Sequence, residues 1–172
     1  TNTRKTGLFV LEEMDWVGGR LSMGGRFEYA EVDSNGDAGS GSSRFGAAVS
    51  RNFSLHSYSL ANVLPLSSTW SLTGTLSHTE RAPTYYELYA NGVHAATGAY
   101  EQGNTRLKHE RGHNIDVALQ WKTETDRLRL GAFYTRFARF ISLDASGQQV
   151  DESGAAVPDG TPDSVPMYRF NT

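Results

Sequence analysis

The sequence predicts an all-β protein whose strands form an antiparallel up-and-down meander, and three observations support that prediction. Apolar residues recur at every second position over several long stretches, which is the period of a strand with one buried face. No stretch sustains the period of an amphipathic helix. The connections between the periodic stretches alternate strictly between short and long, as expected when neighbouring strands run in opposite directions.

The strands follow from this period in chain order. In STWSLTGTLSHT, Leu72 and Leu76 alternate with serine and threonine, and in HNIDVALQWK, Val117 and Leu119 alternate with polar or small residues. The first strand has a nearly continuous apolar part, and the sixth loses its alternation after Tyr134, so these two are expected to bulge or to bury both faces. The predicted strands are residues 4–14, 20–31, 53–64, 70–81, 110–122, 127–141 and an opening strand at 165–172.

The connections point to a membrane barrel. Residues 15–19, 65–69 and 122–126 are short turns, and residues 32–52, 82–109 and 142–164 are long polar loops. A meander then places every turn at one end and every loop at the other, which is typical of an outer-membrane barrel. Trp16, Trp70 and Trp121 all fall at the turn end, where amphipathic rings meet headgroups. The alternative is a soluble β-sandwich that buries these tryptophans.

Composition excludes several other classes of protein. The 172 residues carry a formal net charge of -3 and contain no cysteine. The charge gives no broad basic surface for nucleic acid, and no disulfide or thiolate metal site is possible. The sequence also has no apolar run of the length that a membrane-spanning helix needs. If the chain meets lipid, it does so with strands.

The stretch SHTERAPTYYELYANGVHAATGAYEQGNTRLKHERGHNIDVAL resembles TonB-dependent outer-membrane receptors. In that family it reads roughly R-x-P-x-x-x-E-L-Y-A-N-G, followed by a loop with G-N-x-x-L-x-x-E and then by a strand. The matching residues are Arg81, Pro83, Glu87, Leu88, Tyr89, Ala90, Asn91, Gly92, Gly103, Asn104, Leu107 and Glu110.

The resemblance implies a large barrel of 22 strands, closed by an N-terminal plug, that imports a scarce nutrient with energy from TonB. Residues 1–172 would be a partial barrel of about seven strands, without the plug and the C-terminal strands. The expected location is the bacterial outer membrane. The expected partners are outer-membrane lipid, a metal ion or metal chelate, and TonB through the missing N-terminal region. Neither a resident cofactor nor an enzymatic activity is expected.

A second motif suggests a different function. The segment from His109 to His113 reads H-E-R-G-H, which matches the H-E-x-x-H motif of zinc peptidases. That chemistry needs a helix, because residues four apart in a strand lie about 13 Å from each other. The strand register instead places His109, Arg111 and His113 on the outer face. The side chains on the other face point into the lumen, and Arg81 lies at the rim. We expect four residues to line the channel: Arg81, Glu110, Asn114 and Asp116.

The loop APTYYELYANGVHAATGAYEQGN is the predicted ligand site. An imidazole with nearby carboxylates suits a divalent metal ion, so His94, Glu101 and Glu87 are the predicted metal ligands. The phrase NGVHAATGAYE resembles the zinc-uptake branch of these receptors, which makes zinc the expected cargo. In the alternative, a siderophore or haem receptor, an organic chelate would contact Arg81 and the aromatic residues Tyr85, Tyr86, Tyr89 and Tyr100.

Overall fold

The computed structural model describes residues 1–37 and 44–172, and within these ranges the chain forms two sheets and one short helix. Part of the first long connection, residues 38–43, therefore lies outside the described residues. The elements are β1 (Asn2–Trp16), β2 (Gly19–Ser34), β3 (Val49–Pro65), β4 (Trp70–Arg81), α1 (Tyr85–Tyr89), β5 (Asn91–His94), β6 (Ala99–Gln102), β7 (Glu110–Lys122), β8 (Arg127–Arg139), β9 (Ser142–Val150), β10 (Ala156–Val157) and β11 (Val165–Asn171).

The larger sheet, here called the wall sheet, has the order β1-β2-β3-β4-β7-β8 with every neighbouring pair antiparallel. This confirms the predicted meander, and the predicted bounds of β4 and β7 match the structure. The register shifts between two pairs: Arg111 pairs with Arg139, and Gly112 pairs with Phe137. This bulge lies near the end of β8, where the sequence lost its alternation.

The two faces of the wall sheet differ as the sequence predicts. Paired residues of antiparallel strands point to the same side, and Leu72 pairs with Leu119 while Leu76 pairs with Ile115. The polar face carries Ser71, Thr73, Thr75, Asp116 and Gln120 on the same two strands. On the apolar face, Leu76 and Val117 remain about half exposed, so the described residues place no second sheet over them. Within the described residues, the alternative of a β-sandwich is therefore wrong.

All three short turns lie at one end of the wall sheet. Trp16 pairs with Gly19 across the first turn, and Trp70 pairs with Trp121 with ring centroids 6.4 Å apart. The backbone amide of Lys122 donates to the carbonyl of Thr69 at 2.8 Å, which joins the other two turns. The predicted row of tryptophans at the turn end is confirmed.

The long connections form a second sheet at the opposite end, here called the loop sheet, with the order β10-β9-β11-β6-β5. β11 pairs antiparallel with β9 and parallel with β6. The prediction that residues 165–172 continue the meander is therefore wrong. A strand does form there, but its partners are loop segments. The wall sheet contains six strands among the described residues, one fewer than expected.

The buried core lies where the loops meet the wall sheet. Its main cluster joins Val32 and Leu55 of the wall to Leu88 of α1, Leu107 and Phe170 of β11. A second, smaller cluster inside the loop sheet contains Tyr100, Val150 and Met167. This packing holds the loops against the wall as an ordered layer.

In the described ranges, no helix has the length and apolar character required to cross a membrane.

Candidate functional site

A cavity of about 460 Å³ opens between the first and second long loops. The rings of Tyr85, Tyr86 and Tyr89 line one side of it, with His94 at the end of β5 and Phe45 from the first loop. The rest of the described lining comes from the start of the chain and from both loops: Thr1, residues 34–36, Arg44 and residues 90–93. The structure thus brings three of the four predicted aromatic residues and one predicted metal ligand to a single cavity.

The tyrosines are presented by α1, a helix that was not predicted from the sequence. Thr84 caps this helix: its hydroxyl accepts from the amide of Glu87, and the Glu87 carboxylate accepts from the amide of Thr84 at 2.7 Å. This is a capping box, and the letters T-Y-Y-E spell its S/T-x-x-E pattern. That pattern is the signal that reveals the helix in the sequence. Its five residues are too few to show a helical period.

Glu87 binds Arg81 rather than the other predicted metal ligands. The Arg81 guanidinium donates to both Glu87 oxygens, at 2.9 and 3.1 Å, and to Glu110 at 3.0 Å. Burial alone would raise the pKa of the Glu87 carboxyl, but hydrogen bonds from Arg81 and Thr84 outweigh it and lower that pKa. Arg81 therefore connects α1 to the start of β7 through two charged pairs.

His94 and Glu101 do lie together. Glu101 is only 4% exposed, and its Oε1 lies 3.2 Å from His94 Nδ1 and accepts from the Thr97 hydroxyl at 3.2 Å. The Tyr86 hydroxyl donates to the other oxygen. Burial, followed by the neighbouring Glu101 carboxylate, raises the pKa of Tyr86 to about 12. The site thus contains a buried carboxylate held by a phenol and a hydroxyl, with an imidazole at its open side.

The four predicted aromatic residues differ in their access to a ligand. Tyr85 is half exposed, and Tyr86 stands edge-on to Phe170 with its ring near His94. Tyr89 donates to the carbonyl of Val32 at 2.9 Å, which ties α1 to the wall. Tyr100 is 1% exposed and donates to the Asn91 side chain at 2.8 Å, inside the loop sheet. In this arrangement a ligand reaches Tyr85 most easily and does not reach Tyr100.

The G-N pair of the family motif has a structural explanation. A Cβ on Gly103 would lie 2.6 Å from the backbone carbonyl carbon of Leu88, so only glycine lets the chain pass this close to α1. The next residue, Asn104, donates from its backbone to the Glu87 carbonyl at 2.9 Å and from its side chain to the Phe170 carbonyl at 3.1 Å. These contacts hold α1 and β11 together beneath the cavity.

The predicted channel-lining residues share the polar face of the wall sheet. Asp116 pairs with Thr75, Asn114 pairs with Ser77, and Arg81 pairs with Glu110. Asn114 donates to Asp116 along β7. Arg81 and Glu110 are bound to each other at the loop end of this face, whereas Asn114 and Asp116 lie further towards the turns.

The H-E-R-G-H segment is divided between the two faces. Glu110 belongs to the polar face and accepts from Arg81 and from the amide of Ile141, at 3.0 and 3.1 Å. His113 lies on the apolar face, with its Nδ1 3.3 Å from His78 Nδ1. In the parts of the chain that the structure describes, no three His, Asp or Glu side chains are grouped so as to hold a metal ion. One zinc ion cannot be shared by this segment.

The comparisons with known proteins identify the class. Residues 1–171 match the family model described as TonB dependent receptor-like, beta-barrel, so the chain belongs to the TonB-dependent receptor family.

Two solved structures have the same fold. The copper transporter OprC superposes with a TM-score of 0.70 at 18% identity, covering 98% of this chain and 24% of that one. The siderophore receptor PirA from Acinetobacter baumannii gives a TM-score of 0.52 at 16% identity, covering 99% of this chain and 32% of that one. The chain thus spans about a quarter to a third of these neighbours. The family and both neighbours are receptors or transporters and not enzymes, so the peptidase alternative is wrong.

Proposed function

We propose that this chain forms part of the barrel wall and extracellular loops of an outer-membrane receptor that imports a metal chelate with energy delivered by TonB. TonB would act through a part of the receptor outside this chain. The cavity carries the proposal, because about 460 Å³ is the size of a small-molecule site rather than of a bare ion site. Its aromatic lining suits a planar or conjugated organic ligand.

The polar groups of the cavity support the same ligand class. His94 provides a directed polar contact beside the rings, and a few polar groups among apolar rings are the usual composition of a site for an organic molecule. The metal of a chelate is already coordinated, so the receptor need not supply a full ligand set. In agreement, no third His, Asp or Glu side chain is grouped with His94 and Glu101 among the described residues.

A free divalent metal ion, with zinc first, is the second candidate. The observation that favours it is the distance of 3.2 Å between His94 Nδ1 and Glu101 Oε1. A carboxylate and an imidazole are two of the donors that zinc prefers, and a third would have to come from another part of the receptor. Glu87 is a weaker choice for this third donor, because Arg81 and Thr84 already occupy its oxygens.

Uptake by the full-length receptor separates the two candidates. Tyr85→Ala removes a half-exposed ring from the cavity wall, and His94→Ala removes the imidazole. We expect Tyr85→Ala to reduce uptake of ferric chelates about tenfold at limiting concentration, in line with the loss of a well-placed aromatic contact. Uptake of ionic zinc should change little in this variant.

The matched control is the double variant His109→Ala/His113→Ala, whose imidazoles lie outside the cavity lining. It should transport like the unaltered receptor. A selective loss of zinc uptake in His94→Ala, with chelate uptake intact, would favour the second candidate instead. If the control is damaged more than Tyr85→Ala and His94→Ala, the cavity is not the ligand site.

A further inference from the structure

The apolar face of the wall sheet ends in a polar cluster at its loop end, and this cluster has no role in the cavity. Leu76 pairs with Ile115, the next pair on this face is His78 with His113, and the next is Glu80 with Arg111. Arg136 lies opposite His113 on β8, and Arg139 lies opposite Arg111. We call these residues of the three strands the outer-rim cluster: His78, Glu80, Arg111, His113, Arg136 and Arg139.

The height of this cluster matches a membrane interface. Glu80 lies ten residues along β4 from Trp70. That is about 33 Å of strand, or about 25 Å of height at a strand tilt of about 40°. An apolar band about 25 Å tall is what a transmembrane barrel presents to lipid. With the tryptophan row at one interface, the outer-rim cluster lies at the other, on the surface that faces lipid.

The cluster is built around one buried carboxylate. The Glu80 side chain is 5% exposed, and its Oε1 accepts from Arg111 Nε at 3.1 Å. Its Oε2 accepts from the amide of His56 at 3.0 Å, and His78 Nε2 lies 3.3 Å from Oε1. These donors satisfy Glu80 from within the sheet. The carboxylate therefore fixes the Arg111 side chain but offsets only part of the positive charge of three guanidinium groups.

His109 keeps two of these guanidinium groups together. Its Nε2 lies 3.2 Å from the terminal nitrogen of Arg111 and 3.1 Å from that of Arg139, and a guanidinium only donates. Nε2 therefore accepts, which makes the ring neutral and leaves no ion pair with Glu80, although the two lie 3.4 Å apart. In agreement, burial lowers the pKa of His109, and Arg139 and Arg111 lower it further against the effect of Glu80.

We propose that the outer-rim cluster binds the phosphate group of an anionic membrane lipid, whose acyl chains lie on the apolar face below it. The inference rests on the proposed placement in the outer membrane. Arginine forks bind phosphate in a bidentate manner, and Arg136 is exposed on the same face as the half-exposed Ile115 and the more exposed Tyr134. A phosphate above an aliphatic surface is the chemistry of a phospholipid headgroup and not of a soluble anion.

Lipid binding to the full-length receptor in neutral detergent tests the proposal. The probes are dimyristoyl phosphatidic acid, dimyristoylglycerol and inorganic phosphate, with bound lipid counted by native mass spectrometry. We expect Arg136→Gln/Arg139→Gln to bind phosphatidic acid at least about tenfold more weakly, because charge-assisted hydrogen bonds to phosphate are lost. The pair Arg136→Lys/Arg139→Lys keeps the charge but loses the fork, so its affinity should be intermediate.

The matched control is Arg127→Gln/Arg129→Gln, which removes the same charge from the polar face of the same strand, near the turns. Its affinity for phosphatidic acid should be unchanged. Equal losses in the two glutamine pairs, or equal binding of phosphatidic acid and dimyristoylglycerol, would overturn the proposal. So would binding of inorganic phosphate as tight as that of the lipid. If Arg136→Gln/Arg139→Gln loses lipid binding but still takes up the chelate, the lipid site is supported independently of the proposed transport function. If the receptor binds lipid as expected but takes up no chelate, only the proposed transport function is refuted.

Discussion

Val117→Arg should impair folding of the full-length receptor more than an arginine at Leu119 or Gln120 on the same strand, β7. Val117 is four residues from Trp121 and points to the apolar face, where its side chain is about half exposed. Four residues correspond to about 10 Å of height at a strand tilt of about 40°. In a band about 25 Å tall, that position is close to the midplane.

The size of the effect follows from this depth. An arginine on the lipid face costs about 2 to 4 kcal/mol at the midplane and about 0 to 1 kcal/mol near the interfaces. Leu119 lies only two residues from Trp121, so Leu119→Arg should fall between these ranges, at about 1 to 2 kcal/mol. Gln120 points to the polar face, and Gln120→Arg should cost little. The expected order of destabilisation is Val117→Arg, then Leu119→Arg, then Gln120→Arg.

Urea titration of the receptor folded into lipid vesicles measures these differences, with the heat-modifiable band on a gel as the readout of folded protein. Thr75→Arg is the matched control, because Thr75 pairs with Asp116 on the polar face at nearly the depth of Val117. It should fold like the unaltered receptor. Equal losses of stability in Val117→Arg and Thr75→Arg would show that the apolar face does not contact lipid, and the barrel argument would fail.

Three further predictions concern the loops and the H-E-R-G-H segment. The pKa of Tyr86 in the folded protein is about 12, above the ordinary value of 10.0, so the protonated phenol stabilises the fold fully below pH 10 and this stabilisation is lost as pH rises through 12. The measurement is the tyrosinate absorbance of the receptor minus that of Tyr86→Phe, which reports the titration of Tyr86. A difference that appears near pH 10 would contradict this prediction. Gly103→Ala should loosen α1 by forcing it away from the added Cβ, visible as faster hydrogen exchange at Leu88, and unchanged exchange would refute the close approach. The full-length receptor should hydrolyse no casein with zinc present, with or without Glu110→Gln, and any cleavage that Glu110→Gln stops would restore the peptidase alternative.

The sequence by itself determined the wall sheet. The alternation of apolar and polar residues is local and continuous, so it gave the bounds of β4 and β7 and the side to which Leu72, Val117 and Asp116 point. Loop lengths then determined which strand ends lie together. These features can be predicted without knowing any contact between distant segments. Apolar residues at every second position can face only one side of the sheet, so the faces are assigned once neighbouring strands run in opposite directions.

The candidate site was predicted in outline. The structure brings His94 and Glu101, two of the three predicted metal ligands, together, whereas the third, Glu87, binds Arg81. Whether they bind a ligand stays a prediction. Helix α1 was missed although its capping box is written in the sequence, because five residues are too few for a helical period to appear.

Tertiary structure alone decided which partners the loop residues take. Residues 165–172 were predicted as a further strand of the meander, yet β11 pairs with β6 and β9, and strand pairing depends on which edges the rest of the fold leaves open. Glu87 binds Arg81 at the end of β4, and Tyr100 is buried against Asn91. A period states which face a side chain occupies, but not what covers that face. The partner of a carboxylate or a ring is chosen by contacts between distant segments, which form only when the chain is folded.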